Sequence, residues 1–139
     1  MDPFGKERMM STEQEPFGGM FRLVKRLEFS ASHRLHLPYD SPCNREHGHN
    51  YIVEVAVVGH QLNEEGMLID FSAIKRVVMA LDHRNLNDVM GMDNCTAERI
   101  ALWIVQGVQD VLDTGSMEGT YVDYVSVQEN EGNEATWER

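Results

Sequence analysis

Between Phe21 and Ser30 apolar side chains recur at odd positions. Phe21, Leu23, Leu27 and Phe29 fall on one side, with Arg22, Arg26 and Glu28 opposite. Period two predicts a half-buried strand, with Val24 and Lys25 as imperfections. Continuing the phase places Ala31 and His33 on the side of Phe29. Pro38, Asp40, Ser41 and Pro42 then mark a loop. A second strand is predicted from about Tyr51 to Gly59, with Tyr51, Val53, Val55 and Val57 on one face. His47 and His49 enter it with the parity of Tyr51, so both imidazoles can point to one side.

After a turn at Asn63-Glu64-Glu65-Gly66, Asp70 or Ser72 can cap a helix. Its apolar positions Ile74, Val77, Val78 and Leu81 follow the i, i+3, i+4, i+7 rule, and it stops near Asp82. A second helix begins after Thr96, a good N-cap, with Ala97, Ile100, Ala101, Ile104, Val108, Val111 and Leu112 on one stripe. Tyr121 to Glu129 reads as a third strand and Ala135 to Glu138 as a short fourth, across a turn at 130–133. Four strands and two helices in this order predict an α+β domain: a largely antiparallel sheet with helices on one face. A sheet this small leaves edges to be covered or paired, so assembly of several copies is expected.

Composition narrows the class. A chain of 139 residues holds one domain with a real core. Residues 1–20, with Pro3, Gly5, Pro16, Gly18 and Gly19, read as a tail, and 21–139 as the domain. No apolar run reaches the ~18 residues of a membrane span, and the N-terminus lacks a secretory signal. Cys43 and Cys95 sit in unrelated contexts and suggest no disulfide, so a reducing cytoplasm is expected. The net charge of −11 argues against nucleic-acid binding. Phe21 to Asn50 is locally the exception: Arg22, Lys25, Arg26, Arg34 and Arg45 outnumber Glu28, Asp40 and Glu46. A small anionic ligand can be drawn there.

The same stretch concentrates the chemistry. Four of six histidines lie there: His33, His36, His47 and His49. A catalytic zinc typically takes three protein ligands and leaves a fourth position open. His47 and His49, two apart on an extended chain, can reach one ion. His33 is the natural third ligand by phase, with His36 its competitor; His60, beside Gly59, reads as an ordinary surface imidazole. Cys43 is either a fourth ligand, closing the site, or a thiolate base or nucleophile just off the metal. Asp82-His83 is a second acid–base candidate if the chain turns there, since neighbours within a helix do not face each other. Otherwise it is a helix terminus.

Several blocks together resemble one family. They are Ser30-Ala31-Ser32-His33-Arg34-Leu35, Cys43-x-x-x-His47-Gly48-His49-Asn50-Tyr51, Gly66-Met67-x-x-Asp70-Phe71, Leu81-Asp82-His83-x-x-Leu86-Asn87, Thr96-Ala97-Glu98 and Glu129. In order and spacing, over roughly residues 21–138, they look like the 6-pyruvoyl- and 6-carboxy-tetrahydropterin synthases. The resemblance implies the tunnelling fold, in which three subunits join strands into a barrel and two trimers stack into a hexamer. It implies Zn2+ on His33, His47 and His49. It also implies a catalytic group of Cys43, Asp82 and His83 completed across a subunit interface, with Glu129 anchoring the pterin ring and Thr96 supporting it. A carboxylate can accept two parallel hydrogen bonds from a 2-amino-pyrimidinone edge.

The substrate so implied is 7,8-dihydroneopterin triphosphate, its phosphates received by an Arg or Lys of the basic segment. The spacing from Cys43 to His47 resembles the bacterial 6-carboxy type, on the route to queuosine, which also releases acetaldehyde. The 6-pyruvoyl type only eliminates triphosphate. Relatives that make 6-hydroxymethylpterin have altered catalytic residues; Cys43 argues against that branch and Glu46 keeps it open. Cys95 departs from the usual proline, serine or threonine before Thr96. Two other classes compete: a metal-free cysteine hydrolase using Cys43, His83 and Asp82, and a non-catalytic, zinc-stabilised pterin-binding oligomer.

Overall fold

A computed structural model describes residues 17–139; residues 1–16, most of the expected tail, lie outside the described residues. Strand β1 (Phe21–His33) runs antiparallel to β2 (His47–Gly59), pairing Phe29 with Tyr51, Ala31 with His49 and His33 with His47. Both strands run further than the hydrophobic alternation predicts, and the extra residues carry the histidines. Along β1 burial deepens towards the C-terminal end, where Phe29, Ala31 and His33 are buried and Ser30 and Ser32 are half-buried. The phase that began as a hydrophobic pattern therefore ends on an imidazole.

Helix α1 (Phe71–Met79) is capped by the Asp70 carboxylate, which accepts the Ser72 N–H. It buries Ala73, Ile74 and Val78. A two-residue strand β3 (Arg84–Asn85) pairs parallel with β1, and a short helix α2 (Leu86–Met90) follows, capped by Asn85. Helix α3 (Ala97–Gly115) starts at Thr96, whose hydroxyl accepts the Arg99 N–H. Its stripe Ala97, Ile100, Ala101, Ile104, Val108 and Leu112 is buried against the sheet. Strands β4 (Tyr121–Asn130) and β5 (Asn133–Glu138) complete a five-stranded sheet of order β3-β1-β2-β4-β5. The expected four-stranded, two-helix count thus gains β3 and α2, elements of two and five residues that are too short to show a period. No described helix is long and apolar enough to cross a membrane.

The helices lie against the face of Tyr51, Val53, Val55, Val125 and Val127, all fully buried. The other face is polar: Arg22 pairs with Asp123, and Tyr124 donates to Glu54 at 2.6 Å. Packing is tight at the end of β2. A Cβ on Gly59 would stand 2.8 Å from Thr120 Oγ1 and 3.3 Å from Thr120 Cα, and backbone cannot yield as a side chain can. Gly59→Ala is expected to cost about 1–3 kcal/mol of stability by overpacking. Urea denaturation should show it as a lower midpoint at unchanged slope.

Candidate metal centre and active site

The β1–β2 register builds the centre. His33 and His47 are directly opposed, and Ala31 opposite His49 leaves room for a third ring on the same face. Ring centroids lie 4.5 Å apart for His33–His47, 4.9 Å for His47–His49 and 5.2 Å for His33–His49. Below them Tyr51 is fully buried and stacks on Phe29 at 5.0 Å. Burial, with the nearby Glu129 and Cys95 adding to it, pushes the Tyr51 hydroxyl far above its ordinary pKa, so it stays neutral.

Backbone carbonyls set two tautomers. His33 Nδ1 lies 2.7 Å from the Cys95 carbonyl, and His47 Nδ1 lies 2.7 Å from the Arg45 carbonyl. Both contacts meet hydrogen-bond geometry as well as distance and a carbonyl can only accept, so both Nδ1 atoms donate and both Nε2 atoms are left to face the cluster. This is the partner arrangement that orients a histidine ligand. His33 Nε2 and His49 Nε2 are buried with no hydrogen-bond partner, a costly state unless something else takes the lone pairs. One donor atom from each of His33, His47, His49 and Glu129 lies within 4.8 Å of the others. Three neutral imidazoles and a carboxylate, converging with orphaned nitrogens, fit a zinc-type cation.

His49 has a lowered pKa. Burial is the main cause; Glu129 opposes it, and the neighbouring His33 and His47 reinforce it. Because the folded value lies below the unfolded ~6.5, the unfolded chain takes that proton first as pH falls. Stability from a neutral His49 is therefore fully present above ~6.5 and lost as pH drops through the folded value. For chelator-treated protein the urea midpoint is expected to fall as pH drops below about 6.5, with His49→Asn flattening the slope.

Two other sets of residues lie outside this cluster. Cys43, half-buried, sits in a one-turn 3-10 helix, Pro42–Asn44. Its N–H donates to Ser41 Oγ at 3.2 Å and its carbonyl accepts Leu35 N–H at 2.8 Å. Asn44 braces the loop, accepting Leu37 N–H at 2.9 Å and donating to the Tyr39 carbonyl at 3.0 Å. The Cys43 thiol is not among the converging donor atoms, and neither is His36, whose N–H is held by Asn94 at 2.6 Å.

The chain does turn at Asp82-His83. His83 takes a left-handed φ of 56°, uncommon for a residue with a side chain. Asp82 Oδ1 accepts the Ser30 N–H at 2.9 Å, and His83 N–H donates to the Ser30 carbonyl at 2.6 Å. With the turn fixed at two points, Asp82 Oδ2 meets His83 Nδ1 at 2.9 Å. The Ser30 amide first, and His83 second, hold the Asp82 carboxyl below its usual range, so it stays ionised near neutrality. The His83 side chain is 82% exposed. Among the described residues no hydrogen bond or ion pair joins it to Cys43 or to the three imidazoles.

Comparison with known proteins places this geometry. The family model described as 6-pyruvoyl tetrahydropterin synthase matches residues 22–139. The chain belongs to the 6-pyruvoyl tetrahydropterin synthase family. It is 54% identical over 57 residues to a putative 6-carboxy-5,6,7,8-tetrahydropterin synthase of Pyrococcus horikoshii, a match covering 41% of this chain and 36% of that one. It is 35% identical over 108 residues to the 6-carboxy-5,6,7,8-tetrahydropterin synthase of Bacillus subtilis, covering 73% of each. It is also 38% identical over 92 residues to a dihydroneopterin monophosphate aldolase of Pyrococcus furiosus, covering 63% of this chain and 75% of that one. The Caenorhabditis elegans 6-pyruvoyl tetrahydropterin synthase structure superposes with a TM-score of 0.66 at 23% identity, over 88% of this chain and 97% of that one. The tunnelling fold expected from sequence is thus the fold of this chain, with five strands in place of four.

The sequence names Glu129 only through the family resemblance; the structure places its carboxylate in the histidine cluster. Its local signal is parity: it follows Val125 and Val127, which lie on the helix-covered face of β4. Asn87, which the sequence shows only as the end of a family block, also braces the site. Its carboxamide accepts Arg34 N–H at 2.8 Å and donates to the carbonyls of Arg34, Met92 and Asp93, tying the end of β1 to the loop that carries the Cys95 carbonyl. Thr96 caps α3, and its hydroxyl hydrogen remains available to a ligand.

Proposed function

We propose that this chain is a zinc-dependent lyase acting on 7,8-dihydroneopterin triphosphate, forming 6-carboxy-5,6,7,8-tetrahydropterin with release of acetaldehyde and triphosphate. The observation that carries this reading is the convergence of His33, His47 and His49, two of them with carbonyl-fixed tautomers, in a chain of this family. The name of the Bacillus subtilis relative favours the 6-carboxy product over the 6-pyruvoyl one.

His33, His47 and His49 would hold the zinc through Nε2. When bound, it supplies Lewis acidity towards the oxygens of the substrate side chain, making the neighbouring C–H bonds easier to deprotonate. Glu129 accepts the paired N–H donors of the pterin ring, and Thr96 adds a hydroxyl contact. Cys43, as thiolate, takes the carbon-bound proton. His83, with Nδ1 held by ionised Asp82, presents Nε2 to carry protons as triphosphate leaves. Cys43 and the exposed His83 make no described contact with each other, which supports a site completed by a second copy. The polar, helix-free sheet face and the open edge of β5 fit a homo-oligomer, a dimer of trimers closing the barrel.

The test is to incubate zinc-loaded protein with 7,8-dihydroneopterin triphosphate and identify the products. Acetaldehyde with a 6-carboxy pterin is the expected outcome. A diketo side chain would move the assignment to the 6-pyruvoyl reaction, and a 6-hydroxymethyl product to aldol-type cleavage. Pterin binding without turnover would leave only a binding protein.

A further inference from the structure

Glu129 occupies a position that ring recognition alone does not explain. Its Oε1 lies 2.8 Å from His49 Nε2 and 3.4 Å from His33 Nε2, yet neither nitrogen has an aligned hydrogen bond. Close approach without alignment is what donors around one cation show, because their lone pairs point at the ion and not at each other. Ligands ~2.05 Å from a tetrahedral zinc stand roughly 3.3 Å apart, close to the spacings seen. Among the described residues no donor other than these imidazoles holds the Glu129 carboxylate.

The backbone aims this side chain away from the regular ladder. Pairing of β4 with β5 skips from Gln128–Glu134 to Asn130–Asn133, so Glu129 is the unpaired residue of a bulge. Bulges re-aim side chains beside sites. Glu129 also borders a cavity of about 280 Å3, lined by Ala97, Glu98, Gly132, Asn133, Glu134 and Ala135. One side chain thus belongs both to the donor cluster and to the lining of a space open to a ligand.

We propose that Glu129 is a fourth metal ligand in the substrate-free protein and exchanges off the metal to grip the pterin ring. The exchange rests on the pterin reading above; ligation in the resting state does not. A four-donor resting site keeps its last position closed, and ring binding opens it. Recognition of the ring and access to the metal are then one event.

The test uses full-length protein loaded with Co2+, whose visible d–d absorption reports its ligands, with neopterin as the probe. Without neopterin, Glu129→Gln and Glu129→Ala should each change the spectrum and weaken Zn2+ binding about tenfold or more. Circular dichroism should show both variants folded. Neopterin should shift the wild-type spectrum towards that of Glu129→Ala. Identical neopterin-free spectra for all three proteins would overturn ligation. An unchanged wild-type spectrum with neopterin bound, as followed by its fluorescence, would overturn exchange. If wild-type protein fails to bind neopterin, exchange and the pterin reading fall together, while ligation is decided by the neopterin-free spectra.

Discussion

Cys43→Ala is expected to lower kcat by roughly a hundredfold to ten-thousandfold, the range for removing a general base, while zinc stays bound. The turn around Cys43 is held by backbone, Ser41 and Asn44 contacts that do not involve the thiol, so the substitution deletes Sγ and little else. If the thiolate acts only in the transition state, kcat and kcat/KM should fall together at unchanged KM. Steady-state kinetics with zinc analysis on the same samples checks this. Zinc lost together with activity would make Cys43 a ligand and end the division of roles drawn here. Full activity after chelation would favour a metal-free cysteine hydrolase.

His33→Ala should have the other large effect, through the metal. His33 is 1% exposed and is the most deeply placed of the three imidazoles, with its tautomer set by the Cys95 carbonyl. Removing it takes one of three converging imidazoles and leaves His49 Nε2 and the Glu129 carboxylate without the partner ring. Zinc affinity is expected to drop by more than about a hundredfold, beyond what loss of an orienting partner costs. Activity should fall to background. Competition with a chromophoric chelator measures the first and product formation the second. His36→Ala, from a loop outside the cluster, is the control and should change neither.

The centre was legible because strand parity is a strong constraint. One step of register would turn every side chain to the other face. A buried Phe29 and Tyr51 therefore carry His33, His47 and His49 inward with them. The turn at Asp82-His83 was legible only as a condition, because nothing in the local pattern shows that Ser30 will bind it from 52 residues away. Small elements such as β3 and α2 owe their existence to such partners and leave no period behind. The orienting carbonyls of Cys95 and Arg45 were invisible for a related reason: any residue type supplies a carbonyl. Cys95 matters to His33 through its backbone, so its departure from the family's usual residue leaves that bond intact.

Anomalous diffraction at the zinc edge, on crystals of the zinc-loaded protein, tests the central claim most directly. One peak per chain is expected, ~2.0–2.1 Å from Nε2 of His33, His47 and His49 and out of bonding reach of Cys43 Sγ. A peak bound to the Cys43 thiolate, or none at the three imidazoles, would contradict it.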